Sequence, residues 1–250
     1  VTTVSDSGDD TTNNSSLSAD LADGNGLSLR EIIYWANNTA GTETISFDSS
    51  LKGQTINFSS AAPSITTSMN INGDLDGNGI ADITLSGYNL ASPNWNGFNI
   101  TTAGITVGFS GLNFEKFQHT VGSAAGAVRI TGASTLNISD SNFSYNSGTA
   151  TTGNGGSAIM AINGATVNID RSIFHHNSET TSGGGAIYLS TTTTTVNIRD
   201  SLFYDNTVTA NTSSNGWGGA IWQSNGSLSI INSTFANNSI TNAGTGVAVG

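Results

Sequence analysis

One tetrapeptide form, Phe-x-x-Asn, recurs four times at nearly constant spacing, and nothing else in the chain restricts the fold as much. The copies are Phe143-Ser-Tyr-Asn146, Phe174-His-His-Asn177, Phe203-Tyr-Asp-Asn206 and Phe235-Ala-Asn-Asn238, with the phenylalanines 31, 29 and 32 residues apart. Two residues before each Phe stands a serine: Ser141, Ser172, Ser201 and Ser233. Five before it stands isoleucine: Ile138, Ile169, Ile198 and Ile230. Seven before it stands Leu136, Val167, Val196 or Leu228. Further upstream a glycine turn leads into an apolar pair, as in Gly184-Gly-Ala-Ile187 and Gly218-Gly-Ala-Ile221. A self-similar period of this length marks a solenoid. Within a repeat the apolar residues alternate, Val167 and Ile169 flanking Asn168, which is the period of a strand.

The reading is therefore an all-β chain: a single right-handed parallel β-helix with three short strands per coil. Equivalent strands then stack about 4.8 Å apart. Phe143, Phe174, Phe203 and Phe235 become one core column. Asn146, Asn177, Asn206 and Asn238 become an amide ladder that satisfies buried polar groups between coils.

Composition supports a core made by repetition. Only 9% of the 250 residues are charged, against roughly 25% in an ordinary soluble domain. There are 31 glycines and two prolines. The net charge is −11, and the six basic residues form no stripe, so no nucleic-acid partner is expected. No apolar run approaches a membrane span, so no membrane insertion is expected. Cysteine is absent, which excludes disulfides and thiolate metal sites.

The pairing of Gly-Gly-Ala-Ile with Phe-x-x-Asn resembles the repeat of the chlamydial-type polymorphic outer-membrane proteins, which are autotransported adhesins. The resemblance covers residues 126–239 and implies a β-helix and an adhesive role. Near the start, Leu27-Ser-Leu-Arg-Glu-Ile-Ile33 resembles the Cys-Ser-Leu-Arg-Glu-Ala-Ile motif of exported bacterial β-helix proteins, with Leu27 in place of the cysteine. Ser28 with Glu31 makes a capping box for a short helix over 28–38. Leu29, Ile32, Ile33 and Ala36 share one face, suited to covering the first coil. Residues 1–60 thus read as an N-terminal cap, 61–125 as early irregular coils and 126–250 as regular repeats. Ser110-Gly-Leu-Asn-Phe114 reads as a degenerate echo of the later Ser-to-Phe segment.

Several positions carry chemistry. Asp74-Leu-Asp76-Gly-Asn78-Gly-Ile80-Ala-Asp82 matches the first part of an EF-hand-type loop. A structural calcium ion held by Asp74, Asp76, Asn78, the carbonyl of Ile80 and Asp82 is expected. Position twelve is Leu85 rather than Glu, which weakens the site; the competing reading is an Asx-rich turn. Asp140, Arg171, Asp200 and Asn232 recur in register beside Ser139, Asp170, Arg199 and Ile231. Alternating signs suit an ion-pair ladder better than a catalytic acid–base pair. His175 and His176 are adjacent and are expected to point to opposite sides of a strand, unable to share a metal. With His119, they read as solvated loop histidines. Tyr188 and Trp222 should be exposed neighbours with Trp217 nearby, able to stack on a sugar, meet a protein or pack under loop 207–217.

The expected function is a non-enzymatic, extracellular structural or adhesive module, in which the rod presents loops 147–155, 178–183 and 207–217. It would sit outside the cell or on a bacterial surface after signal-peptide removal. Gly246-Val-Ala-Val249 resembles the turn and first strand of another coil, so the expected partners are further coils or like subunits at the C-terminal end, with filament assembly as one outcome. Val1–Val4 is a candidate neighbour for that edge. Surface glycans are a second class of partner. The alternative is a polysaccharide-binding or polysaccharide-cleaving protein, a lyase or hydrolase.

Overall fold

A computed structural model describes residues 1–6, 24–87, 97–120, 125–149, 154–180, 182–210, 216–242 and 248–249. The chain is an all-parallel β-solenoid of about six turns. Among the described residues, sheet 1 has seven strands: Glu43–Ser46, Met69–Asn72, Thr106–Ser110, Thr135–Ser139, Thr166–Asp170, Thr195–Arg199 and Ser227–Ile231. Sheet 2, also of seven, runs from Thr55–Asn57 through Ile83–Ser86, Leu112–Glu115, Asn142–Ser144, Ile173–His175 and Leu202–Tyr204 to Thr234–Ala236. Sheet 3 has five strands, from Phe98–Ile100 to Ile221–Gln223. Sheet 4 is a further five-stranded ladder after the repeat asparagines, from Gln118–His119 to Ser239–Asn242. The sequence pattern does not announce it, because its strands are only two to four residues long.

Register follows the repeat. Val167 pairs with Leu136 and Val196, Ile169 with Ile138 and Ile198, and Phe174 with Phe143 and Phe203. The same register corrects the reading of Phe114. It pairs with Phe143, and Ser110 pairs with Ser139 rather than with the serine before the Phe. Residues 110–114 are a full member of the repeat, in which Leu112 stands where later coils have serine.

The corners between sheets 1 and 2 are single left-handed residues. Gly111, Asp140, Arg171, Asp200 and Asn232 occupy one such column, with φ between 44° and 60°. At the next corner, between sheets 2 and 4, Lys116, Tyr145, His176, Asp205 and Asn237 form a second left-handed column, with φ between 53° and 57°. This conformation costs about 1–2 kcal/mol for a residue with a Cβ. The ladders on either side impose it.

Helix α1, Leu29–Asn37, carries the expected capping box. The Glu31 amide donates to Ser28 Oγ, and the Ser28 amide donates to Glu31 Oε2 at 2.8 Å. Leu29, Ile33 and Ala36 are buried in the main core cluster with Ile45, Ile56 and Met69. Arg30 lies outside that face, paired with Asp6 at 2.8 Å and bonded to the carbonyls of Ser60 and Ala61. Val1 is not beside the last coil. Its amino group donates to the Ser46 carbonyl, and its carbonyl accepts from Asp48. Among the described residues, no helix is long and apolar enough to cross a membrane.

Candidate functional site

The core column is a stack of rings. Phe114, Phe143, Phe174, Phe203 and Phe235 lie 4.5–4.7 Å apart, centroid to centroid, and within 7° of parallel. Isolated aromatic pairs prefer offset or edge-on contacts; strand spacing fixes this geometry instead. The asparagine ladder beside it is complete. Asn146 Nδ2 donates to Asn177 Oδ1, Asn177 to Asn206 and Asn206 to Asn238, at 2.8–2.9 Å. Each amide also donates to a Phe carbonyl of the preceding coil, as Asn177 does to Phe143. The serine column forms a second ladder, with the Ser172 amide donating to Ser201 Oγ and Ser172 Oγ to the Asp170 carbonyl.

The charged columns pair across coils. Arg171 makes a two-bond contact with Asp140 at 2.8 Å and also meets Asp170, which holds Arg199 at 3.0 Å. Asp200 lies 3.5 Å from Arg199 and accepts from Asn232. Facing solvent on sheet 1, Asn137, Asn168 and Asn197 form an outer amide ladder at 2.8–2.9 Å. This ladder and the ion pairs border a shallow groove of about 450 Å³.

Loop 74–82 joins sheet 1 to sheet 2. The structure brings the carboxylates of Asp74, Asp76 and Asp82 within 4.8 Å of one another. Backbone amides turn inward on them. Asp74 accepts from Gly77, Asn78 and Gly79, and Asp82 accepts from Leu75. Asn78 Oδ1 accepts from the Ile80 amide at 2.7 Å, and the Ile80 side chain is exposed. Leu85, the twelfth position, is buried in the core. Sequence reasoning missed Lys52, which reaches the loop from the preceding coil. It contacts Asp76 and stands 3.4 Å from Asp82. Its hydrogen bond holds the Asp76 carboxyl below the usual range. The missed signal is register: Lys52 stands three residues before sheet 2's Thr55–Asn57, which pairs with Ile83–Ser86 beside the loop.

Tyr188 is not exposed. It is 4% accessible and packs with Met160 and Ala125, its ring 4.9 Å from that of half-buried Trp222. Trp217, also half-buried, stacks on Trp222 at 5.7 Å. The strands just upstream, Asn154–Gly156 and Ser182–Gly184, pair with each other. A Cβ at Gly156 would overlap the Ile159 carbonyl and one at Gly184 that of Ile187, so glycine is what allows the approach. Residues 150–153, 181 and 211–215 of the three predicted loops, and Gly246 and Val247, lie outside the described residues. Ala248–Val249 pairs with Gly216–Trp217, the strand before the glycine turn rather than the one after it.

The histidines depart most from expectation. His119 is buried, 3.0 Å from equally buried Glu179 two coils on. Gly148 lies between them in the sheet 4 column. His175 and His176 do not diverge. Their Nδ1 atoms are 2.9 Å apart. Strand alternation stops at His176, whose φ is 54°, and the left-handed turn brings its ring back beside its neighbour's. His175 is driven below its ordinary pKa chiefly by burial, then by His176.

Comparison with protein-family models, with curated proteins and with solved structures finds no match to this chain.

Proposed function

We propose that the chain is a non-enzymatic, extracellular structural or adhesive module: a right-handed β-helical rod, closed at one end by helix α1 and extended at the other by more β-structure. The observation that carries this reading is the change in exposure along two core columns. Ile198 and Phe203 are 1% and 0% accessible, whereas Ile230 and Phe235, one coil on, are 44% and 40%. Neighbouring Ile231 is 58% accessible. An open coil end presents both a core cross-section and unpaired strand groups. Further coils or a like subunit would cover both, and a head-to-tail contact that does not close builds a filament.

Solubility here rests on uncharged polar side chains, as suits a surface protein. The carboxylates of Asp140, Asp170 and Asp200 are each engaged by an arginine, which favours scaffolding over acid–base chemistry. A second reading, polysaccharide binding or cleavage, draws on the groove along Asn137, Asn168 and Asn197, with Trp217 and Trp222 as further sugar-contact candidates.

Sedimentation and negative-stain imaging test the first reading. Concentration-dependent end-to-end association, abolished by Ile230→Asp, is the expected result. A monodisperse monomer at all concentrations would defeat it. Retention on a glycan array with no association would favour the second reading, and new unsaturated ends on a polyuronide would make the chain a lyase.

A further inference from the structure

The Nδ1 atoms of His175 and His176 face each other at 2.9 Å. A contact this close between two ring nitrogens needs one N–H and one lone pair. A labile proton and a lone pair therefore meet at a single point on the surface. The rings are also held in place. His175 stacks on Tyr204 at 4.8 Å and 5°, and His176 on Tyr145 at 5.0 Å and 28°. His176 remains partly open to solvent, with 41% of its side chain accessible.

We propose that His175 and His176 form a two-imidazole binding site for a divalent transition-metal ion, Cu²⁺ most strongly. Metal–imidazole bonds run about 2.0–2.1 Å, so two nitrogens at this separation subtend roughly a right angle at the ion. A tetrahedral ion would need them about 3.3–3.4 Å apart at the same bond lengths. A right angle is the cis arrangement of square-planar or tetragonal Cu²⁺ and Ni²⁺, and Cu²⁺ is the tighter binder of the two. Water fills the remaining positions. Binding takes the one proton from between the nitrogens; the ring that carried it is reprotonated at its own Nε2, so two neutral rings bind with no net change in proton count.

A carboxylate stands on the far side of one ring. Asp205 Oδ2 is 3.9 Å from His176 Nε2. A carboxylate there favours the tautomer with its proton on Nε2 and the lone pair on Nδ1, the usual outer partner of a metal-bound histidine. The acid-rich loop is the competing metal site, but its all-oxygen donor set suits hard ions.

The test is a Cu²⁺ titration of the whole chain in excess calcium, followed by calorimetry and electron paramagnetic resonance. The expected result is one tight equivalent with nitrogen hyperfine structure from two imidazoles and, at a pH where both rings are neutral, no net proton release. His176→Asn and His175→Ser place residues that other coils carry at the same positions, Asn237 and Ser144, so the fold is retained. Each should weaken Cu²⁺ by at least about tenfold, the scale on which even outer partners act, and Asp205→Asn by less. Unchanged affinity in the double variant, or a spectrum without two nitrogens, overturns the proposal. So does wild-type protein that takes up no copper, which leaves only a hydrogen bond between the rings.

Discussion

His119 Nε2 lies 3.0 Å from Glu179 Oε2 although the two residues sit in coils separated by a third, and neither side chain reaches solvent. The pair exists because the intervening coil contributes Gly148, and a Cβ there would overlap both groups. Removing one member takes a close polar partner from the other in the interior. Glu179→Ala should cost about 3–5 kcal/mol in urea denaturation, while replacing both members by apolar residues of similar volume should cost much less. Gly148→Ala should fall near the single variant. A loss within half a kcal/mol for Glu179→Ala would mean that the pair contributes nothing to stability.

Phe203 and Phe235 share a column but not an environment. Truncating fully buried Phe203 to alanine should cost about 3–5 kcal/mol. The same change at Phe235, 40% accessible, should cost less than half as much in dilute monomer. Equal losses that appear only at high protein concentration would show that a second copy covers the ring in solution.

The inner and outer asparagine ladders separate burial from hydrogen bonding. Asn177→Ala leaves the Phe143 carbonyl and the Asn146 amide without their partner inside the wall. Each orphaned group costs about 1–3 kcal/mol. Asn197 makes the same kind of amide contact, to Asn168, but in water. Asn197→Ala should stay within about 0.5 kcal/mol of wild type. Similar melting temperatures for the two variants would show that the inner ladder is not protected from solvent.

The repeat made the inner columns legible because stacking demands the same residue type at the same place in each coil. Phe174, Asn177 and Ile169 could be placed from spacing alone, and so could the ladder of Asp140, Arg171 and Asp200. The Ser28–Glu31 capping box was equally readable, being local. What escaped were contacts that break the repeat. His119, Gly148 and Glu179 look unrelated in sequence because their column changes residue type at every step. Tyr188 alternates outward, as read, but it is buried beside Met160 and Ala125 of the neighbouring coils, a second small cluster that spacing does not reveal. His176 escaped because strand alternation was carried one residue too far, into a left-handed corner that periodicity does not reveal.

The last prediction concerns calcium at loop 74–82. Three carboxylates within 4.8 Å of one another repel unless something positive stands among them. Lys52 does so, touching Asp76 and lying 3.4 Å from Asp82. A calcium ion would therefore displace an ammonium group already there, and the two compete for the same charge. Removing the lysine takes away the competitor and leaves the carboxylates. Lys52→Met should lower the melting temperature in chelator, because the repulsion is no longer offset, and raise it again when calcium is added. The calcium-dependent gain should exceed that of wild type. Asp76→Asn acts in the opposite sense: it removes one charge, lessens the need for Lys52 and should abolish the calcium response. Melting curves of the three proteins, each with calcium and with chelator, decide the matter. If Lys52→Met melts at one temperature under both conditions, Lys52 is a structural partner of an Asx-rich turn, and the loop holds no metal.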